Sequence, residues 1–164
     1  MELPDLVTTR RLRLRVITSS EARAALDGHR DPSWHPDYPR KDDLDAMSLV
    51  RGHSWSVREV IRGWDGLVCG TIGFYGRPEV LDDESLEAEV GYGLVEEARG
   101  HGLATEALAA MLAETDALDV RVRARVLPEN AASIRVLAKC GFTDLRAPSE
   151  EGELVLARPV LPRS

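Results

Sequence analysis

Residues 86–126 constrain the fold more than any other stretch. Residues 86–95 alternate as a strand would, with Leu86, Ala88, Val90, Tyr92 and Leu94 on one face and Glu87, Glu89, Gly91, Gly93 and Val95 on the other. The chain then crosses a glycine-bearing connection over residues 96–102 and enters a helical pattern over residues 103–118. Leu108, Met111, Leu112 and Leu118 give that helix an apolar side, and Ala104, Ala107, Ala109 and Ala110 permit a close approach to a sheet. Residues 120–126 form a second strand, with Val120, Val122, Ala124 and Val126 on one face and Arg121, Arg123 and Arg125 on the other. A strand that returns after an intervening helix lies parallel to the first, through a right-handed crossover.

The flanking segments predict antiparallel pairing around that unit. Residues 12–17 read as a strand, and Ser19 and Ser20 offer a cap for a helix reaching Asp27, with Glu21 in its first turn. Three prolines between Asp31 and Pro39 exclude regular structure there, so Trp34, His35 and Tyr38 fall on a loop. A short helix over residues 42–50 follows. Strands over residues 55–61 and 67–74 are joined by the turn Gly63-Trp64-Asp65-Gly66. Asn130 caps a helix that runs to Lys139, Gly141 stands at its C′ position, and a last hairpin uses Phe142 onward and residues 154–160. The expectation is one α+β domain over residues 1–164, with a mixed, mostly antiparallel sheet, one parallel pair and about four helices.

The 164 residues suffice for a core without disulfides or metals. A net charge of −7 argues against a nucleic-acid partner. It favours cationic small molecules or peptides through long-range fields, or serves solubility alone. Cys69 and Cys140 match no metal-ligand spacing, so no metal is expected. No apolar run suits a signal peptide or approaches the ~18–20 residues of a membrane span, so the expected setting is the cytoplasm with no membrane contact. No Gly-x-Gly-x-x-Gly follows the first strand, and no Gly-Lys-[Ser/Thr] occurs. A dinucleotide-binding unit and a P-loop are thereby excluded.

The connection before the long helix carries the chemistry. Its glycines, Gly100 and Gly102, let backbone N–H groups approach a phosphate at the positive end of the helix dipole, and Arg99 adds a charge. A tight strand-to-helix turn without a ligand is the other reading. Arg99-Gly100-His101-Gly102-Leu103-Ala104 resembles the [Gln/Arg]-x-x-Gly-x-[Gly/Ala] pyrophosphate loop of the GNAT superfamily of acyl-CoA N-acyltransferases. Thr105-Glu106-Ala107, the segment from Asn130 through Ser133 and Arg135 to Gly141-Phe142, the opening Thr9 to Arg15, and Gly70-Thr71-Ile72-Gly73 resemble its Rim-type (ribosomal-protein N-terminal acetyltransferase-like) branch.

The resemblance implies that the parallel strands splay apart and hold acetyl-CoA between them. The pyrophosphate would rest on Arg99, Gly100, His101, Gly102, Leu103 and Ala104, with Thr105 beside it. The pantetheine arm would pair with the backbone around Leu94 and Val95, and Asn130, Ser133 and Arg135 would reach the coenzyme. For Asn130 the alternative is a plain helix cap, and both roles are compatible. The resemblance also implies an acetyl transfer to a primary amine, either a peptide or protein N-terminus or a small cationic amine. A homodimer is common among its members.

Amine acylation calls for a base near the amine and a proton for the leaving thiolate. Glu89 shares a face with Gly91 and Gly93, which leave room beside it, and Ala88-Glu89-Val90-Gly91-Tyr92 resembles the branch's segment. Glu89 is therefore the candidate base, its alternative being a charge on the strand's solvent side. His35 and Glu106 are lesser candidates. Where many members of the superfamily carry a tyrosine as general acid, Leu137 stands here, and Tyr92 would act only if the strand twists. The proton donor is unassigned. The departure also keeps open a non-catalytic acyl-CoA sensor of the same fold. The acceptor is expected near the first two helices, with Trp34, His35 and Tyr38 as an aromatic wall and Asp37, Asp42 and Asp43 to attract a cation, the alternative being an acidic loop with helix-capping charges and surface aromatics. Arg121, Arg123 and Arg125 face either salt-bridging acids or an anionic part of a substrate.

Overall fold

The computed structural model describes residues 1–159, so Val160, the expected end of the last strand, lies outside the described residues. The order of elements is β1 (Leu6–Thr8), β2 (Leu12–Val16), α1 (Ser19–Leu26), α2 (Lys41–Met47), β3 (Val57–Arg62), β4 (Val68–Phe74), β5 (Glu79–Val80), β6 (Leu86–Leu94), α3 (Leu103–Ala117), β7 (Val120–Val126), α4 (Ala131–Lys139), β8 (Asp144–Arg146) and β9 (Leu154–Arg158). A single turn of 3₁₀ helix, Glu96–Ala98, sits in the connection after β6.

The strands form one mixed sheet in the order β1-β2-β3-β4-β6-β7-β9-β8, with the short β5 beside the start of β6. Every pairing of adjacent strands is antiparallel except β6 with β7. That parallel pair is joined by α3, as the crossover argument requires. Its register runs from Leu86↔Val120 to Glu89↔Arg123 and stops there, although both strands continue. Beyond that point β6 pairs only with β4, from Val90↔Phe74 to Leu94↔Gly70, while β7 stays with β9 out to Val126↔Leu154. The sheet therefore opens as a V whose vertex lies at Glu89 and Arg123.

The alternation along β6 shows which helices cover which face. A Cβ on Gly93 would fall on the side chain of Arg40, at the start of α2, whereas the hydroxyl of the adjacent Tyr92 meets Ser133 of α4. Successive side chains of a strand point to opposite faces, so α2 and α4 lie on opposite sides of the sheet. Leu103, Ala107, Leu108, Met111 and Leu112 of α3 are buried with Ala88, Val90, Val120 and Val122 of the sheet in a single core. The strands β3 and β4 are buried throughout, although β3 carries Arg58, Glu59 and Arg62, each of them hydrogen-bonded within the fold.

Local signals account for the helix ends. Thr18, one residue before the serines, caps α1: its hydroxyl accepts from the Glu21 N–H, and the Glu21 carboxylate accepts from the Thr18 N–H. Asn130 caps α4 by accepting from the Ser133 N–H at 3.1 Å. Gly141 follows that helix in the left-handed region, at φ 86°. Among the described residues, no helix is long and apolar enough to cross a membrane, and no group of three or more potential ligand side chains is placed to hold a metal ion.

Candidate acyl-transfer site

A cleft of about 450 Å³ lies in the mouth of the V. One wall is Tyr92, Gly93 and Leu94 of β6. The connection contributes Arg99, Gly100 and Gly102, and the first turn of α3 adds Leu103, Ala104 and Thr105. The opposite wall is the start of α4, with Asn130, Ser133 and Arg135. Ten of the twelve residues expected at the coenzyme are thus brought together around one opening. Val95 and His101 do not line it. Val95 is fully buried and its N–H donates to the Cys69 carbonyl at 2.8 Å. His101 is exposed, and its carbonyl accepts from Arg11 Nη1 at 3.0 Å.

The connection is shaped by its glycines. Gly100 and Gly102 hold φ values of 81° and 79°, in the left-handed region that side chains rarely adopt. This turns the chain so that α3 begins at Leu103 with its first turn, Leu103, Ala104 and Thr105, lining the cleft, and the first N–H groups of a helix have no partner within it. Glu106 does not reach the cleft mouth. Its carboxylate accepts from the Thr9 hydroxyl, the Arg11 N–H and Arg11 Nε, and so ties α3 to the start of β2. Burial pushes its carboxyl up, but those hydrogen bonds outweigh it and leave it below its ordinary value. Arg99 folds back on the strand, Nε donating to the Leu94 carbonyl at 3.0 Å.

Tyr92 has its hydroxyl 2.9 Å from Ser133 Oγ, and both residues line the cleft. Burial raises the Tyr92 phenol above its ordinary value, so it holds its proton at neutral pH. Leu137 is buried in the core.

Glu89 stands at the vertex. Its Oε1 accepts from Arg123 Nε at 3.1 Å and its Oε2 from Arg125 Nε at 2.8 Å. The three arginines of β7 all meet acids. Arg121 lies near Asp83 and Asp144, Arg123 also pairs with Glu79 and Glu87, and Arg125 lies near Glu153. This face is a salt-bridged ladder.

A second recess, of about 300 Å³, opens between α2 and the β4–β6 pair. It shares Arg40, Asp42 and Tyr92 with the first, so the two meet across β6. Asp42 and Asp45 bring negative charge to its rim, and Tyr75, stacked under Arg125, closes one end. Of these residues the sequence pointed to Asp42, as one of three aspartates that could attract a cation, and to Tyr92, as a conditional proton donor; Arg40, Asp45 and Tyr75 carried no such signal. Three aspartates in four positions at the start of a short helix are equally explained by the helix dipole, and nothing local tells Asp42 from the buried Asp43.

Trp34 and Tyr38 line a different recess, between α1 and the proline-rich loop, which shares no lining residue with the other two. Tyr38 is 0% exposed and meets Trp34 edge-on, with ring centroids 5.2 Å apart. His35 is buried. Its N–H donates to the Val68 carbonyl, and its Nδ1 accepts from the Asp37 N–H. All three hold the loop against β4.

The sequence matches the acetyltransferase (GNAT) domain model over residues 11–143. No curated protein matches it. Among solved structures it is similar to Mycobacterium smegmatis RimJ in complex with CoA-disulfide, at 24% identity and a TM-score of 0.67, over 100% of this chain and 93% of that one. It is also similar to the ribosomal-protein-S5-alanine acetyltransferase of Vibrio fischeri, at 18% identity and a TM-score of 0.63, over 94% and 96%. An acetyltransferase of Agrobacterium tumefaciens aligns at 24% identity and a TM-score of 0.65, over 96% and 95%. With a family match across most of its length, on a mixed sheet that opens where that family's glycine loop begins, the chain belongs to the GNAT acetyltransferases.

Proposed function

We propose that the protein transfers an acetyl group from acetyl-CoA to a primary amine, on a peptide or protein N-terminus or on a small cationic amine, in the cytoplasm. The observation that carries this reading is the continuity of two recesses through the mouth of the V. One is walled by the glycine connection and the first turn of α3, and the other is rimmed by carboxylates. A thioester entering from one side and an amine entering from the other meet at β6.

In this reading the N–H groups of the connection and of the first turn of α3 bind the pyrophosphate. The β6 backbone at the mouth of the V pairs with the pantetheine arm as an added strand would. The Val95 N–H is committed to Cys69, so the pairing falls on the residues before it. Asp42 and Asp45 draw the cationic amine into its recess. Glu89 takes the amine's proton through water. Each of its oxygens already accepts one hydrogen bond, and an ionised carboxylate has about four acceptor sites in all. The Tyr92–Ser133 hydroxyl pair lies where a proton can be returned to the thiolate. The resemblance of the fold to ribosomal-protein acetyltransferases supports an N-terminal amine as acceptor by analogy of fold alone.

Isothermal titration with acetyl-CoA tests the coenzyme site. Wild type should bind in the micromolar range, and Gly100→Glu should abolish binding. Nothing lies within 4 Å of a Cβ at Gly100, but its φ of 81° strains any side chain, so Gly100→Ala is measured beside it and should keep more affinity than the carboxylate variant. Folded wild type that does not bind acetyl-CoA would overturn the reading.

A further inference from the structure

We propose that Arg40 is a catalytic residue that donates a hydrogen bond from Nη1 to the thioester carbonyl oxygen. This rests on the acetyl-transfer reading above.

The guanidinium is a fixed group. Asp43 is 0% exposed, and its carboxylate is saturated: Oδ1 accepts from the Thr71 hydroxyl at 2.7 Å and from Arg40 Nη2 at 3.0 Å. Oδ2 accepts from the Arg40 N–H at 2.9 Å and from Arg40 Nε at 3.1 Å. All four acceptor sites are used, three of them by one residue, so Arg40 cannot rotate without unpairing a buried charge. The guanidinium lies against β6 at Gly93. A Cβ there would fall on Nη2, and would stand only 3.1 Å from Nη1. Glycine at this position is what admits the arginine.

The place of that fixed group is the second observation. Arg40 lines both recesses, at the seam where thioester and amine would meet. Nε and Nη2 are held by Asp43, while Nη1 has no hydrogen-bond partner among the described residues. A preorganised donor that need not reorient suits a charge that develops only during the reaction. In the transfer the amine nitrogen's lone pair forms the C–N bond, and the carbonyl π pair moves onto oxygen, where Nη1 meets it. The pair then returns, the C–S bond breaks with its electrons on sulfur, one proton leaves nitrogen and one arrives at sulfur. The same positive charge also favours the neutral amine over its ammonium form.

Carbon-13 NMR of bound [1-¹³C]acetyl-CoA tests this without knowledge of the acceptor. Binding to wild type should move the carbonyl resonance downfield of free acetyl-CoA. Two variants should return it toward the free value while acetyl-CoA affinity by titration is little changed. Arg40→Lys keeps a cation for Asp43 but has no second arm to offer. Gly93→Ala keeps Arg40 and Asp43 but pushes the guanidinium off the strand. Once an amine is in hand, turnover should fall by roughly 10²–10³-fold, as for loss of an oxyanion donor. A bound resonance unchanged in both folded variants overturns the proposal and leaves the acetyl-transfer reading standing. So does a loss of affinity that tracks the loss of shift, which would make Arg40 a contact to the arm. Wild type that fails to bind acetyl-CoA removes both.

Discussion

Single residues at the vertex carry two roles that the alternation of a strand does not distinguish. Glu89 sits on the face with Gly91 and Gly93, as period 2 requires, and that much is readable from the sequence. Its two arginine partners come from a strand more than thirty positions later, and the parallel register that brings them beside it is not a local property. If Glu89 takes the amine's proton, Glu89→Gln should lower turnover about 10²–10⁴-fold with acetyl-CoA affinity unchanged. Titration and steady-state rates measured on the same preparation check it. Loss of affinity without that fall in turnover would instead make Glu89 a brace for the V. The residues that line the cleft were legible because a glycine loop and a capped helix are local signals. The acidic recess was legible only in part: Asp42 stood out as a charge beside α2, but burial separates it from Asp43, and only packing determines burial. Trp34 and Tyr38 drew attention as aromatics on a polar loop, where the structure uses them to seat that loop.

At the scale of elements, long periodic segments fell close to their expected bounds. The strand at residues 120–126 and the helix from Asn130 to Lys139 coincide with β7 and α4 with its cap. The short strands β1 and β5, of three and two residues, were not foreseen, because so few positions cannot establish a period. The start of α4 serves the helix and borders the cleft at once. The Asn130 Oδ1 caps the helix while the residue lines the cleft. Asn130→Asp preserves the cap acceptor and removes the amide's N–H donors. It should leave unfolding stability within a few tenths of a kcal/mol. Loss of one coenzyme hydrogen bond should weaken acetyl-CoA binding by about 2–10-fold. Urea denaturation beside titration separates the two. Equal affinity in the variant would assign Asn130 to the helix alone.

For the whole molecule, the open V poses a mechanical problem. A sheet that splits at its middle keeps its two halves in register only through the four paired positions of β6 and β7 below the vertex. The acid–arginine ladder on that face reinforces them, and Glu87 is its centre. Its side chain is 1% exposed, and its carboxylate accepts from Arg146 at 2.6 and 2.7 Å and from Arg123 at 3.0 Å, joining β6 to β7 and β8. Burial pushes the Glu87 carboxyl up, but the hydrogen bonds from Arg146 and Arg123 outweigh it and hold it below its ordinary value. A carboxyl lowered by folding stabilises the native state fully above its unfolded value, and that contribution is lost as pH falls through the folded one. Glu87→Gln should therefore lower stability at pH 7 by about 1.5–3 kcal/mol, the range for hydrogen bonds to a charged group. The gap between wild type and variant should stay constant down to the ordinary carboxylate range and narrow below it. Urea unfolding across an acid series reads this directly. A gap independent of pH would mean that the ladder acts by packing, with its charge irrelevant to holding the two halves of the sheet together.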